Sequence, residues 1–235
     1  MLTIIGTGIN FDLTLGAIDA LKNADEIYIE TYTNLIEKEK IRILEKLINK
    51  EVKELERTKV ESKFLIEKAK NKKICLLASG DPLTATTHVT VLIDAKKEKV
   101  ETNIIHNSSV YTVAPGKSGL QIYRFGKTAS LVNPRENYKP TSSLDIIRKN
   151  FELGMHSLVL LDTEPKPMDA KVALEMLKGF ESAVVLSRLG ENDEKVIYGK
   201  ISELSKKELG KPPFSIIIPA KLHPMEEDFL EMCKD

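Results

Sequence analysis

Ile74-Cys-Leu-Leu-Ala78, running directly into Ser79-Gly80-Asp81-Pro82, decides how this 235-residue chain is read. Five apolar residues in succession, bounded by Lys72-Lys73 and by Ser79-Gly80, suit a central parallel strand buried on both faces. The same texture recurs upstream. Leu2–Ile5 is a short apolar run that ends in Gly6-Thr7-Gly8, a strand leading into a loop. Leu13, Ala17, Ala20, Leu21 and Ala24 then fall at helical spacing, with Asp12 as a plausible N-cap. Glu26–Ile29 reads as a second strand, and Glu37–Lys50 as an amphipathic helix with Ile41, Leu44, Leu47 and Ile48 on its apolar face. After a charged stretch come a helix near Val60–Lys70, the decisive strand, a helix over Thr86–Lys97 and a strand at Thr102–His106. Strands alternating with helices predict an α/β domain with a mostly parallel sheet over residues 1–113.

Ala114-Pro-Gly-Lys-Ser-Gly119 is rich in helix breakers and marks the expected junction. A second α/β domain is expected over 114–235. It has helices near Ser142–Leu153 and Ala170–Lys178, and strands at Ser157–Leu161, Ala183–Ser187 and Ser215–Pro219. Lys195–Tyr198 has strand character, and Pro134 and Pro140 mark loops. A cleft between two such domains is the default place for a ligand.

The bulk numbers narrow the function. Lys plus Arg equals Asp plus Glu at 35 each, so no global field draws the chain to nucleic acid or to an anionic membrane. No segment approaches the ~18 continuous apolar residues of a membrane helix. The start, Met1-Leu-Thr-Ile-Ile-Gly6, lacks the basic region of a signal peptide, so a cytoplasmic protein is expected. Cys75 and Cys233 suggest neither a disulfide framework nor a metal site. His88, His106, His156 and His223 are scattered without metal-ligand spacing, and no metal is expected. Ser108-Ser109 lacks the glycines of a nucleophile elbow.

Three features remain as candidates, each with two readings. Gly6-Thr7-Gly8 is either a tight turn or a cradle for a ligand; Phe11 stands where the dinucleotide fingerprint needs its third glycine. Glu30, at the end of a strand, either holds a ribose hydroxyl or is a structural carboxylate. Asp81 sits where open α/β sheets bind ligands, yet an Asp in a turn also bonds its own backbone.

Taken together the motifs resemble one family. Ile4-Ile-Gly-Thr-Gly-Ile9, Glu30-Thr-Tyr-Thr33 and Gly80-Asp-Pro-Leu-Thr-Ala-Thr-Thr-His88 resemble diphthine synthases, within the wider tetrapyrrole methylase-like superfamily. So do Ile105-His-Asn-Ser-Ser-Val110, Gly119-Leu-Gln-Ile-Tyr-Arg-Phe-Gly126, Pro140-Thr-Ser142, Leu160-Leu-Asp162 and Pro219-Ala-Lys-Leu-His223. The resemblance implies two αβα domains, a homodimer, and S-adenosyl-L-methionine in the interdomain cleft, leaving as S-adenosyl-L-homocysteine. It carries the cofactor contacts onto Ile9, Asp81, Thr84, Ser109, Val110, Leu161, Tyr198 and His223. It implies trimethylation of the amino group of a 3-amino-3-carboxypropyl-histidine on translation elongation factor 2. The alternative from the same superfamily is a precorrin-type tetrapyrrole methyltransferase. No catalytic residue is assigned.

Overall fold

The computed structural model describes residues 1–33, 36–134 and 141–234, and the loop proline expected at Pro140 lies outside them. The chain forms two compact units, Met1–Val110 and Tyr111–Asp235.

The first unit alternates as β1 (Leu2–Gly6), α1 (Leu15–Asn23), β2 (Glu26–Glu30), α2 (Lys38–Ile48) and β3 (Val52–Leu55). It continues with α3 (Arg57–Val60), α4 (Phe64–Ala69), β4 (Ile74–Ala78), α5 (Val89–Lys97) and β5 (Thr102–Ile105). All four pairings are parallel, in the order β3-β2-β4-β1-β5. Leu2, Ile4, Ile74 and Leu76 face one side, where they pack with Leu65, Ile66 and Val91 of α4 and α5. Ile5, Cys75 and Leu77 face the other, against Ala17 and Leu21 of α1 and Leu44 of α2. A strand covered on both faces has no wet side, which is why β1 and β4 read as unbroken apolar runs. Burial pushes the Cys75 thiol up to about 12, so it behaves as a small core hydrophobe.

Local chemistry moved several boundaries. Thr14, not Asp12, caps α1, its hydroxyl accepting from the Ala17 amide at 3.1 Å. Leu47 is 57% exposed, whereas Ile41, Leu44 and Ile48 of the same helix are buried. Asn49 ends that helix in the left-handed conformation (φ 55°), and β3 follows at once inside the charged stretch. The helix expected near Val60–Lys70 is two short ones, α3 and α4.

The second unit holds α6 (Val110–Lys117, beginning on the last residue of the first unit), a 3₁₀ turn (Ile122–Arg124), β6 (Ala129–Leu131), α7 (Ser142–Glu152) and β7 (Ser157–Leu161). Then follow α8 (Ala170–Met176), β8 (Ser182–Ser187), β9 (Lys195–Lys200), α9 (Ile201–Leu204), β10 (Phe214–Ile218) and α10 (Pro224–Met232). The sheet order is β6-β7-β10-β8-β9; β6 and β7 are parallel and the other pairs antiparallel. Pro115 and Gly116, expected to break the chain, lie inside α6.

A buried carboxylate organises this unit. Glu226 of α10 has no exposed side-chain surface and accepts four donors. Its Oε1 takes the Gln121 amide (3.0 Å) and His156 Nε2 (3.2 Å); its Oε2 takes the His223 amide (2.8 Å) and the Arg124 guanidinium. His156 Nδ1 accepts from the Ala220 amide at 3.0 Å, so its proton sits on Nε2. Burial alone would raise the Glu226 carboxyl, but the Gln121 and His223 amides and the His156 ring outweigh it and hold it below the usual range. Nearby, Asn150 bonds both the amide (3.2 Å) and the carbonyl (2.8 Å) of Lys127. A Cβ at Gly126 would lie 2.3 Å from the Asn150 oxygen, so only glycine fits there.

Only a carboxylate accepts from four donors at once. Glu226→Ala leaves a guanidinium and three N–H groups without their acceptor, and we expect it to lower stability by about 3–5 kcal/mol. Urea unfolding followed by circular dichroism measures this; a loss under about 1 kcal/mol would show that the second unit does not depend on this node.

Candidate active site

In the first unit, β1 and β4 are neighbours, yet α1, which follows β1, packs on one face and α5, which follows β4, on the other. Adjacent strands that send their connections to opposite faces define a topological switch point, and ligands of open α/β sheets bind outside its carboxyl end. Two loops leave the sheet there, Thr7–Asp12 after β1 and Ser79–His88 after β4.

The two loops are stitched together. Gly8 and Gly80 exchange backbone hydrogen bonds at 3.1 and 3.2 Å, and the Thr7 amide reaches the Ala78 carbonyl at 2.8 Å. A Cβ at Gly6 would meet the Gly80 oxygen at 2.5 Å and Pro82 Cδ at 2.8 Å; Gly8 has φ +70° and presses on Asn107. Gly6 is therefore required by the closeness of the protein's own backbone, and Gly8 by its left-handed conformation. Asn107, just after β5, completes the stitch by donating to the carbonyls of Gly6 (3.1 Å) and Asp12 (2.7 Å). Ser108 adds a hydroxyl acceptor for the Ile9 amide at 3.2 Å.

Asp81 is the electrostatic centre of this edge. Its Oδ1 accepts from the Leu83 amide (3.0 Å) and the Thr84 hydroxyl (3.1 Å). Its Oδ2 accepts from His106 Nδ1 (2.7 Å) and the Asn107 amide (3.3 Å). Burial pushes the carboxyl up, but these donors, the Leu83 amide foremost, pull it further down, so it is held ionised below the ordinary aspartate value. Both features of Asp81 are present here: it bonds its own turn, and it stands at the sheet edge where open α/β folds bind ligands.

Glu30 resolves differently. It is buried and accepts from the amides of Tyr32 (3.1 Å), Thr33 (3.0 Å) and Ser79 (3.2 Å) and from the Thr33 hydroxyl. Those bonds occupy both oxygens and tie the loop after β2 to the end of β4, the role of a structural carboxylate. His88 is also buried. Its Nδ1 lies 2.9 Å from the Pro82 carbonyl, which can only accept, and its Nε2 lies 3.2 Å from the Tyr32 hydroxyl. Thr87 bonds Glu61 at 3.0 Å. The Thr86-Thr87-His88 stretch thus anchors its loop, with one exception. The Thr86 hydroxyl is buried with no partner among the described residues, as is expected of a group that a polar ligand would satisfy.

Of the positions expected to touch the cofactor, Ile9, Asp81, Thr84, Ser109 and Val110 come together at this edge, drawn in from three loops. Ser109 is buried, and Val110 opens α6. Leu161, Tyr198 and His223 belong to the second unit, whose sheet does not gather them. β7 runs antiparallel to β10, with Leu160 opposite Ser215 and Ser157 opposite Ile218. Leu161 therefore ends β7 at one edge, whereas His223, five residues beyond Ile218, caps α10 at the other. Tyr198 lies on the outer strand β9, its amide bonded to the Cys233 carbonyl. His106 was not among the expected site residues. Its partner lies 25 positions away and is brought to it only by the sheet.

The comparisons with known proteins agree with one another. Residues 1–205 match the family described as Tetrapyrrole (Corrin/Porphyrin) Methylases. The chain is 40% identical to diphthine synthase of Methanocaldococcus jannaschii, with 100% of both chains covered. It is 37% identical to diphthine synthase of Methanothermobacter thermautotrophicus, over 98% of this chain and 94% of that one. Its fold superimposes on a crystal structure of diphthine synthase with a TM-score of 0.91 at 36% identity, covering 100% of this chain and 96% of the other. Whole-length identity at this level, together with the family match over residues 1–205, places the chain in the diphthine synthase family of tetrapyrrole methylases, as an S-adenosylmethionine-dependent methyltransferase.

Proposed function

We propose that the protein methylates the amino group of the 3-amino-3-carboxypropyl side chain on the modified histidine of translation elongation factor 2. It uses S-adenosyl-L-methionine, releases S-adenosyl-L-homocysteine and adds three methyl groups. The observation that carries this reading is the match to diphthine synthases over the whole chain. The edge of the first sheet supports the cofactor reading through side-chain-free backbone at Gly80, hydroxyls at Thr84 and Ser109, and the Thr86 hydroxyl, which has no partner among the described residues. Ile9, Asp81, Thr84, Ser109 and Val110 would hold it there. Leu161, Tyr198 and His223 enter the proposal on resemblance alone.

The bound cofactor supplies a methyl group already activated by its sulfonium. The protein's share is then to hold the acceptor in line and keep its lone pair free. A rigid, stitched edge suits that task, because Asp81, Asn107 and the glycine turn leave the loops little freedom to shift. The substrate is a protruding side chain of a large protein, which requires an open approach. A tetrapyrrole would instead need a broad apolar trough, and a chain with no Trp and 6% aromatic residues is poorly equipped for one.

Assembly as a homodimer and residence in the cytoplasm belong to the same proposal. Val89 and Ile93, one turn apart on α5, are each about half exposed, apolar surface of the kind a two-fold partner would cover. Among the described residues no helix is long and apolar enough to cross a membrane.

Three outcomes are expected. Mass spectrometry after incubation with labelled cofactor should show elongation factor 2 carrying the aminocarboxypropyl-histidine gaining up to three methyl groups, and the unmodified factor none. Equal labelling of both, or labelling of precorrins instead, would point to another branch of the superfamily. Asp81→Ala should weaken S-adenosylhomocysteine binding by ~1–3 kcal/mol in calorimetry, through loss of the bonds that shape the Pro82–Thr84 loop; unchanged affinity would remove Asp81 from the site. Light scattering at micromolar concentration should give twice the 26.3 kDa chain mass, and a monomer mass would refute the dimer.

A further inference from the structure

We propose that His106, oriented by the Asp81 carboxylate, is the catalytic base that takes the proton from the substrate amine. The inference rests on the amine-methylating reading above. An aliphatic amine beside a carboxylate is almost wholly ammonium at neutral pH and has no lone pair to offer. Each methyl transfer therefore requires the removal of one proton, and the site needs an acceptor for it.

The four histidines can be separated by what their ring nitrogens do. His88 is buried, with its Nδ1 against the Pro82 carbonyl and its Nε2 against the Tyr32 hydroxyl. His156 is buried, accepting at Nδ1 from Ala220 and donating from Nε2 to Glu226. His223 Nδ1 accepts from the Met225 amide, so in the neutral ring the proton lies on Nε2, which then has no lone pair to offer. His106 is arranged the opposite way. Its Nδ1 lies 2.7 Å from Asp81 Oδ2, an ionised oxygen that can only accept, so Nδ1 carries the proton and Nε2 the lone pair. The side chain is 65% exposed, and among the described residues Asp81 is the charged group that meets the ring.

Asp81 is itself immobilised by the Leu83 and Asn107 amides and the Thr84 hydroxyl, so the ring cannot turn without leaving its partner. A base whose second nitrogen is held by a fixed carboxylate is the arrangement by which enzymes choose a tautomer and stabilise the imidazolium that forms. It stands one residue beyond β5, on the same edge as Ile9, Thr84 and Ser109.

The proton and electron balance closes. An N–H bond of the ammonium breaks and its proton passes to His106 Nε2, giving an imidazolium beside the Asp81 carboxylate. The freed nitrogen lone pair forms the bond to the methyl carbon as the carbon–sulfur bond breaks, its electron pair going to sulfur. His106 then releases the proton to water, and the methylated ammonium can lose its next one. After the third methyl the nitrogen has no proton left, and the cycle stops.

The test combines a structural readout with a kinetic one. In the cofactor-free protein, ¹⁵N-imidazole NMR should show the neutral His106 ring protonated at Nδ1, and Asp81→Asn should weaken that preference. His106→Gln should lower the single-turnover rate of factor methylation at pH 7 by about 10²-fold. Its affinity for S-adenosylhomocysteine should stay within about threefold of wild type. The rate deficit should shrink towards pH 9.5, where the amine loses its proton to solvent. A His106→Gln variant with the wild-type rate and pH profile, or a ring protonated at Nε2 instead, overturns the role of His106 while the methylation stands. Wild-type protein that leaves the modified factor unlabelled overturns the reaction itself, and the base with it.

Discussion

Everything at the ligand edge depends on the closeness of two loops that no side chain could separate. At Gly6 the backbone of β1 passes so near Gly80 and Pro82 that one added methyl group would overlap the Gly80 carbonyl at 2.5 Å. That approach lets Gly8 and Gly80 pair outside the sheet, and it brings Asn107 over the first loop. With the backbones locked, Asp81 has a fixed place, and from there it sets the Pro82–Thr84 turn and the orientation of His106. The hydrophobic faces of β1 and β4 supply the stability, roughly 1.5–3 kcal/mol for each fully buried Leu or Ile side chain. The glycines decide where that stability places the polar groups.

The second unit uses a different device. Its motif residues, from Gly119 to Gly126 and from Pro219 to His223, are far apart in the chain yet meet at one buried carboxylate. Arg124 donates both to Glu226 and to the Lys221 carbonyl, His156 holds Ala220, and Glu226 itself closes the capping box with His223. Much of what makes these stretches look like a family fingerprint is therefore the internal wiring of one helix start. Residues at such a node are constrained by several partners at once and cannot be exchanged singly without leaving a buried charge unpaired.

The polar residues in and beside these stretches divide by physical role. Glu30, His88 and Glu226 are buried and bonded within the protein, and their work is to hold loops. His106 and Thr86 differ: among the described residues the His106 Nε2 and the Thr86 hydroxyl have no hydrogen-bond partner, and both residues belong to the loops around Asp81.

The sequence by itself determined the α/β class, the strands with unbroken apolar runs and the position of the Gly-Asp-Pro turn at a strand end. Burial on both faces leaves a local signature that needs no partner to be read. It left out β3, an edge strand carrying Lys53-Glu54 in its middle, the three-residue β6, and α10, because short or half-wet elements owe their form to neighbours. It marked Ala114–Gly119 as the junction between domains, and in the structure Pro115 and Gly116 lie inside α6, which begins at the boundary of the two units. Only the tertiary structure decided which carboxylates are structural, that Glu226 gathers two distant motifs, and that Asp81 meets His106. The long-range bonds among those pairings span 25 to 105 residues, and hydrogen bonds over such distances leave no periodicity in the chain.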